Sequence, residues 1–303
     1  MNERTSRRRF VFLLHPRAGR RARRMAQAAA RIFDLPHAPV FAAHADEALA
    51  HLRHLDPDVV AVAVGGDGTV NMVARAIRAE EGRKRPMAVL PGGTGNAFAF
   101  ELGAGKWAAA IETLRYGVPR KIDVLITSDP AAPLALVSIS MGFEGQFLAR
   151  LAGIRAKRGR CLAAPIALAA FARRTSGAFL SCDGRILIDR RKRFYSAGLY
   201  NTRRYSWGRI MVPESSMHDG EAHARVYGGR RTYWRALFRS GRSGAGLDRL
   251  ESVEAVAFRH ARIETDGPVQ IDGEAVKGRA FDVTIDPSSL VVITRSSSLT
   301  TQP

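Results

Sequence analysis

The sequence predicts two domains, a doubly wound parallel α/β domain followed by an antiparallel β-sandwich, with a ligand cleft between them. In the first part of the chain, short apolar runs alternate with segments of helical periodicity, the pattern of a parallel sheet with crossover helices. After Asp129-Pro130, short strand-like runs separated by turns replace that alternation. We expect the domains at 8–127 and 128–295, and a disordered polar tail at 296–303.

The elements of the first domain follow from the spacing of apolar residues. Helices are predicted at 21–33, 46–54, 70–80 and 107–116. Strands are predicted at 10–14, 40–42, 59–64, 87–90 and 121–126.

The second domain is predicted to be built from short strands. Its one clear helical insertion is at 161–174. The strands are predicted at 134–140, 185–188, 197–200, 222–226, 253–258, 261–264, 269–271, 280–285 and 290–293.

Composition limits the class of protein. The chain has 303 residues, 46% of them hydrophobic, enough to bury a sizeable core. The apolar run at 161–172 is shorter than the roughly 20 residues that span a bilayer, and two cysteines cannot build a disulfide framework. The polar, basic start of the chain does not resemble a signal peptide, so we expect a cytoplasmic location.

The charge predicts an anionic partner. The chain carries 47 Lys and Arg against 28 Asp and Glu, a formal net charge of +19. The basic segments at 155–160 and 230–231 precede apolar stretches, which favours a peripheral site on the inner, anionic face of the membrane. Solvated helix faces and buried helices with basic ends remain alternatives. We find no helix-turn-helix, zinc-finger or RNA-binding aromatic motif, so no nucleic acid is expected.

One strand runs directly into a glycine loop. The apolar run at 59–64 leads into Gly65-Gly66-Asp67-Gly68-Thr69-Val70-Asn71, and helical spacing follows. A helix N-terminus and glycine backbone favour a phosphate, whereas Asp67 would repel it unless a divalent cation stood between them. The loop therefore predicts a nucleotide with magnesium, and a tight turn without a ligand is the alternative.

A second loop has the same organisation. The apolar run at 87–90 is followed by Pro91-Gly92-Gly93-Thr94-Gly95-Asn96 and then by another apolar stretch. The carboxyl ends of parallel strands form the ligand-binding edge of an open α/β sheet. We therefore expect the two loops to lie side by side.

These loops and three later segments resemble the diacylglycerol kinase catalytic-domain family, in its soluble bacterial form that includes sphingosine kinase relatives. The later segments follow in the order of the family. They are Asn201 with Tyr205-Ser206-Trp207-Gly208, the stretch Met211-Val212-Pro213 to Asp219-Gly220, and Gln270-Ile271-Asp272-Gly273-Glu274. The resemblance implies a lipid kinase that transfers phosphate from ATP, with Mg²⁺, to a hydroxyl of diacylglycerol or a sphingoid base.

The resemblance also implies roles for individual residues. Glu274 is the candidate general base, and Asp272 would lie on the same face if the stretch were extended, although an acidic turn is the alternative. Asp67 would bind the catalytic Mg²⁺, and Asp219 a second, structural Mg²⁺ unless it forms an ordinary turn. The residues expected to hold ATP are Gly65, Gly66, Asp67, Gly68, Thr69, Asn71, Gly93, Thr94, Asn96, His15 and Gly19.

The chain also departs from the family. Its first loop reads His15-Pro16-Arg17-Ala18-Gly19, whereas the family usually has Asn-Pro-x-Ser-Gly, and Met72 stands where a Glu is frequent. A catalytically degraded scaffold that binds membranes or nucleic acid is therefore the alternative function. A nicotinamide-dinucleotide kinase is disfavoured because its Gly-Ser-Thr-Ala-Tyr stretch is missing from the sequence, and the P-loop motif is missing too.

Overall fold

The computed structural model describes residues 8–35, 39–80, 85–158, 175–239 and 253–295. The predicted helix at 161–174, the tail and the side chains of 155–160 lie outside that description. The chain forms two compact units. Unit 1 contains the chain up to 122 with 206–208 and the end from 288, and unit 2 contains 123–205 with 209–287. The sequence predicts one continuous domain on each side of a boundary near 127, whereas unit 1 also contains 206–208 and the segment from 288.

Unit 1 is an α/β unit whose sheet is parallel, as predicted. The strand order is β2-β1-β3-β4, extended by the end of β18, which pairs in parallel through Val292 and Met87. Its elements are β1 (Phe10–Leu14), α1 (Arg20–Ile32), β2 (Val40–Phe41), α2 (Ala45–Arg53), β3 (Val60–Gly65), α3 (Asp67–Arg78), β4 (Met87–Pro91), α4 (Ala97–Glu101), α5 (Trp107–Tyr116) and the start of β5 (Val118–Thr127).

Burial explains this architecture. All residues of β3 and β4 are buried, as a strand covered on both faces requires. Helix α1 presents Ala22, Ala26 and Ala29 to the interior, and these small side chains let it approach the sheet closely. Helix α3 begins at Asp67, three residues before the predicted start, and its N-cap is Gly66 in an extended conformation. An acidic residue in the first turn is favoured by the helix dipole.

Unit 2 is built mainly from antiparallel strands. One sheet has six strands in the order β14-β13-β10-β7-β16-β17, and β18, β15, β8 and β9 form a second antiparallel series. Its elements are β6 (Leu134–Ala135), β7 (Ser138–Gly142), α6 (Phe143–Arg158), β8 (Phe179–Cys182), β9 (Arg185–Ile188), β10 (Ser196–Tyr200), β11 (Arg204–Tyr205), β12 (Arg209–Ile210), β13 (Ala222–Tyr227), α7 (Arg230–Arg239), β14 (Val253–Phe258), β15 (His260–Glu264), β16 (Val269–Ile271), β17 (Glu274–Val276) and β18 (Ala280–Thr294).

The two strand series of unit 2 share one apolar core. Ile139 and Leu199 come from the six-stranded sheet, and Ile263 and Phe281 from the other series. The predicted fold class, α/β followed by a β-rich second domain, is thereby confirmed. Helices α6 and α7 were not predicted, since glycines interrupt the apolar pattern of α6 and arginines dominate α7.

The opposite face of the six-stranded sheet is polar and yet buried. Ser140, Ser196, Arg225 and Gln270 lie on it at 2% exposure or less. Polar groups in such a place need partners. Ser140 donates to Glu144, Gln270 donates to Oγ of Ser138 at 2.8 Å, and Arg225 forms an ion pair with Glu214 at 2.7 Å. Among the described residues, no helix is long and apolar enough to cross a membrane.

Candidate functional site

The two glycine loops lie side by side in unit 1. Strand β3 ends at Gly65 and β4 at Pro91, and these two residues are paired across the parallel ladder. The Gly92 N–H donates a hydrogen bond of 2.8 Å to the Gly65 carbonyl, which joins the loops directly. The predicted adjacency of the loops is confirmed.

Close contacts with backbone and side-chain atoms explain why the loops need glycine. A Cβ atom on Gly93 would lie 2.3 Å from the Cα of Gly66, and one on Gly92 would lie 2.7 Å from the Cβ of Ala22. On Gly65, it would lie 2.4 Å from Oγ1 of Thr69. Loop packing alone thus excludes side chains at these three positions, before any ligand is considered.

Asp67, in the first glycine loop, binds the backbone that follows the second glycine loop. Its Oδ2 accepts a hydrogen bond from the Ala97 N–H at 3.2 Å, and its Oδ1 accepts one from the Phe98 N–H at 3.1 Å. The carboxylate therefore caps the N-terminus of α4 across 30 residues of sequence. Burial raises the pKa of Asp67, while the N–H groups of Phe98 and Ala97 oppose that rise.

Asn96 shapes the second loop instead of standing free in it. It adopts the left-handed conformation, with φ of 51°. Its Oδ1 accepts from the Gly93 N–H at 2.9 Å, and its Nδ2 donates to the Gly93 carbonyl at 3.0 Å. Of the other residues expected to hold ATP, Thr94 is exposed, and Gly68, Thr69 and Asn71 are partly exposed. The loop is thus preorganised and leaves Thr94 accessible.

The short turn Ser206–Gly208 also reaches the second loop. The Trp207 N–H donates to the Gly95 carbonyl at 3.1 Å. Trp207 has a positive φ of 59° and an indole that is 59% exposed. The segment with Tyr205-Ser206-Trp207-Gly208 is therefore in contact with the second glycine loop. The sequence did not predict this contact, because the two segments are far apart in the chain.

The first loop keeps its turn despite its altered sequence. The Nδ1 of His15 accepts from the Arg17 N–H at 3.0 Å, the contact that an Asn side chain makes in an Asx-turn. Arg23 donates to the carbonyls of Pro16 and Ala18, and Gly19 is the exposed N-cap of α1. The imidazole thus supplies the acceptor that the family's Asn would provide.

Glu274 and Asp272 lie on a tight hairpin in unit 2, the acidic turn that the sequence left open as the alternative to an extended stretch. Asp272 and Gly273 have φ of 47° and 87°, and Ile271 pairs with Glu274 across the turn. Two consecutive positive φ values are typical of the turns that join antiparallel strands through two residues. Glu274 opens β17 with an exposed side chain, whereas Asp272 is only 4% exposed.

The carboxylate of Asp272 binds backbone. It accepts hydrogen bonds from the N–H groups of Leu136 and Val137, both at 2.8 Å, and of Ser138 at 3.2 Å. The Asp272 N–H in turn donates to the Ser138 carbonyl at 3.1 Å. These contacts divide the predicted strand at 134–140 into β6 and β7 and anchor the hairpin that carries Glu274.

Asn201 and Asp123 extend this anchor. The Nδ2 of Asn201 donates to the carbonyls of Asp123 at 2.9 Å and Leu136 at 3.0 Å, and the Gly220 N–H donates to Oδ2 of Asp123 at 2.8 Å. Three sequence segments, those of Asn201, Gly220 and Asp272, are therefore tied together. Sequence reasoning overlooked Asp123, although a carboxylate within the apolar run at 122–126 is a signal of a buried polar role.

A second buried carboxylate was also overlooked. Glu144, 3% exposed, accepts hydrogen bonds from Tyr205 at 2.9 Å, from Tyr233 at 2.8 Å and from Ser140. Burial raises the pKa of Glu144, and the hydroxyl donors oppose the rise. Tyr233 also belongs to the aromatic cluster that includes Phe143 and Tyr195, and its hydrogen bond to Glu144 joins α7 to α6.

The residues fit Mg²⁺ only in part. Among the described residues, no group of three or more His, Cys, Asp or Glu side chains could enclose a metal ion. Asp67 fits an ion that also coordinates nucleotide phosphates, because Mg²⁺ commonly takes one or two carboxylates together with phosphates and water. Asp219 is exposed, and its Oδ1 accepts from the Glu221 N–H at 3.2 Å, the contact of an ordinary turn.

Part of the chain matches a known protein family in sequence. Residues 9–126 match the diacylglycerol kinase catalytic domain. The chain is 26% identical, over 250 residues, to the protein named "Probable lipid kinase YegS-like" from Klebsiella pneumoniae (strain 342), with 76% of this chain and 75% of the relative covered.

Solved structures agree in fold. A diacylglycerol kinase from Bacillus anthracis str. Sterne superposes with a TM-score of 0.65 at 16% identity, covering 96% of this chain and 98% of that one. A second structure from that organism gives a TM-score of 0.66 at the same 16% identity, over 95% of this chain and 98% of that one. The chain is thus similar to diacylglycerol kinase-like lipid kinases, and residues 9–126 carry the match to the diacylglycerol kinase catalytic domain.

Proposed function

We propose that this protein transfers the γ-phosphoryl group of ATP, in a Mg²⁺-dependent reaction, to a hydroxyl of a lipid such as diacylglycerol or a sphingoid base. The observation that carries the proposal is the pair of glycine loops at the ends of β3 and β4, joined by the Gly92–Gly65 hydrogen bond and by Asp67. Such loops offer backbone N–H groups to phosphates at the carboxyl edge of a parallel sheet.

In unit 1 we assign nucleotide binding to the loops themselves. Gly65, Gly66, Gly68 and Gly93 let the backbone approach the phosphates, and Thr69, Asn71, Thr94 and Asn96 position the nucleotide by backbone or side-chain hydrogen bonds. The first loop, from His15 to Gly19, adds its turn beside the N-terminus of α1. Asp67, together with the nucleotide phosphates, would hold Mg²⁺, which would neutralise charge on the transferred group.

In unit 2 we assign proton transfer to Glu274. A lipid hydroxyl is a weak nucleophile near neutral pH, so a carboxylate should accept its proton as the oxygen attacks the γ-phosphorus of ATP. The bond from that phosphorus to the bridging oxygen breaks at the same centre, and ADP leaves. The exposed Glu274 side chain is available, and the buried Asp272 carboxylate fixes the hairpin below it. Asp272 is therefore a positioning residue in this proposal. Asp219 would be one ligand of a second, structural Mg²⁺.

A labelled-lipid assay tests the function. Wild type and Glu274→Gln are incubated with radiolabelled ATP, Mg²⁺, a total bacterial lipid extract, diacylglycerol and sphingosine, and the organic phase is separated. We expect labelled lipid from the wild type and at least a hundredfold less from Glu274→Gln, the scale of a lost general base. Glu254→Gln, another exposed strand carboxylate, should retain full activity.

The net charge of +19 favours one rival, a non-catalytic scaffold that binds polyanions. Folded protein that binds ATP but labels no lipid would indicate a different acceptor. Protein that binds no ATP, yet binds DNA with steep salt dependence, would replace the kinase proposal with the scaffold.

A further inference from the structure

One helix of unit 2 has a face of arginine and aromatic side chains. Helix α7 reads Arg-Arg-Thr-Tyr-Trp-Arg-Ala-Leu-Phe-Arg and contains no acidic residue. Arg230, Arg231, Trp234, Arg235 and Phe238 fall within about 140° of its circumference at 100° per residue. The three arginines are exposed, and Phe238 is 66% exposed, the highest value among the large apolar side chains described.

The opposite face of α7 holds the helix firmly in place. Tyr233, Ala236 and Leu237 are buried in the aromatic cluster of unit 2. Tyr233 makes an edge contact with Tyr227 at 5.3 Å between ring centroids and donates its hydroxyl to Glu144 at 2.8 Å. The exposed face is therefore presented by a rigid element, which lowers the entropy cost of binding a surface.

The aromatic rings on this face of α7 are also preorganised. Trp234 and Phe238 stack with their centroids 5.6 Å apart, and the Arg209 guanidinium lies 5.8 Å from the Phe238 centroid. Arg209 also donates to the Leu237 carbonyl at 3.1 Å, near the C-terminal end of the helix, where a cation is favoured. The exposed Phe238 ring thus stacks on the partly buried Trp234 and has one guanidinium, that of Arg209, beside it.

We propose that this face of α7 docks the enzyme on an anionic phospholipid bilayer. Arginines attract anionic headgroups, while Phe and Trp enter the boundary between headgroups and acyl chains. The +19 charge of the chain complements such a surface. The inference rests on the proposed lipid kinase function, which requires an acceptor that resides in a membrane.

Vesicle sedimentation without ATP tests the docking face. Protein is mixed with vesicles of phosphatidylcholine alone, or of phosphatidylcholine with phosphatidylglycerol, and the bound fraction is measured. We expect wild type to prefer the mixed vesicles. Arg231→Gln with Arg235→Gln should weaken that binding about 25-fold, at about fivefold for each arginine near the surface. Phe238→Ala should weaken it about tenfold.

Matched variants control for charge and exposed apolar area. Ile186→Ala removes an apolar side chain that is 59% exposed on β9. The double variant Arg185→Gln with Arg193→Gln removes two positive charges, as many as the α7 double variant, elsewhere in unit 2. These variants should lose less than threefold. The proposal is overturned if they lose as much as the α7 variants, or if wild type does not distinguish the two vesicles. Circular dichroism and urea midpoints verify that each variant is folded.

Two further experiments distinguish membrane docking from a general polyanion site and from the proposed kinase reaction. If duplex DNA binds the wild type and loses as much affinity as vesicles do in the α7 variants, the face is a general polyanion site and the membrane proposal is wrong. Kinase activity on detergent-dispersed lipid should be unchanged in the α7 variants, whereas activity on anionic vesicles should fall. A failed kinase assay with intact α7-dependent vesicle binding would overturn only the proposed reaction.

Discussion

The glycine loops of unit 1 and the Asp272–Gly273 hairpin of unit 2 both bring backbone segments close together, but they do so by different means. In unit 1 the missing side chains of Gly92 and Gly93 permit the approach, and Asp67 caps α4 from a partly exposed position. In unit 2 a buried carboxylate draws the amides of 136–138 toward itself. The comparison indicates that the absence of side chains organises the glycine loops, whereas hydrogen bonds to a buried carboxylate organise the hairpin.

The largest expected effect comes from Asp272→Ala. Removal of the carboxylate leaves the buried N–H groups of Leu136, Val137 and Ser138 without their acceptor, and each such loss costs about 1–3 kcal/mol. We expect the free energy of unfolding, measured in urea, to fall by about 3 kcal/mol or more. Asp219→Ala, at an exposed turn, should change it by less than about 1 kcal/mol. Equal effects at the two sites would contradict the electrostatic account of the hairpin.

Gly93→Ala should have the next largest effect, for a steric reason. The new Cβ would lie 2.3 Å from the Cα of Gly66, and backbone on both sides leaves little room for relaxation. We expect a loss of about 1–3 kcal/mol in unfolding free energy, together with weaker ATP binding by calorimetry.

Gly153→Ala provides the control for that substitution. Position 153 lies in α6, and a Cβ there meets no atom within 4 Å. The same chemical change should stabilise the protein by about 0.5–1 kcal/mol. A neutral Gly93→Ala variant would show that the loops can separate.

The buried Glu144 predicts a pH dependence of stability in unit 2. Because burial raises its pKa, the folded protein favours the protonated group, and the stability this supplies is lost as pH rises from the ordinary Glu value through the raised one. In Glu144→Gln that ionisation is absent. The unfolding free energy of wild type minus that of the variant should therefore decrease with rising pH in urea titrations above pH ~4.3. A constant difference would mean that the hydroxyl donors offset burial completely.

The smallest effect is expected in the first loop of unit 1. His15→Asn retains an acceptor for the Arg17 N–H, whereas His15→Leu removes it. We expect the Asn variant to match wild type in KM for ATP, and the Leu variant to show an increase of roughly fivefold, which corresponds to about one hydrogen bond. An equal increase in both variants would show that the imidazole does more than complete the turn.

Much of unit 1 could be predicted from the sequence because its signals are local. The fully apolar runs of β3 and β4, the helical spacing after each glycine loop and the rule that parallel strands share a carboxyl edge together placed the loops side by side. Helices α6 and α7 escaped prediction because glycine and arginine obscured their apolar stripes, and those stripes pack against residues distant in sequence.

What the sequence determined by itself was the type of the local elements in unit 1 and the identity of the turn residues, since these depend on neighbours within a few positions. The tertiary structure decided what the polar side chains contact. Asp272 bonds to amides about 135 positions away, and Glu144 to hydroxyls 61 and 89 positions away. Asp67 reaches 30 positions to cap α4. Local periodicity contains no information about such partners. Tertiary packing determines which donors lie near each carboxylate, and a buried carboxylate requires hydrogen bonds from them.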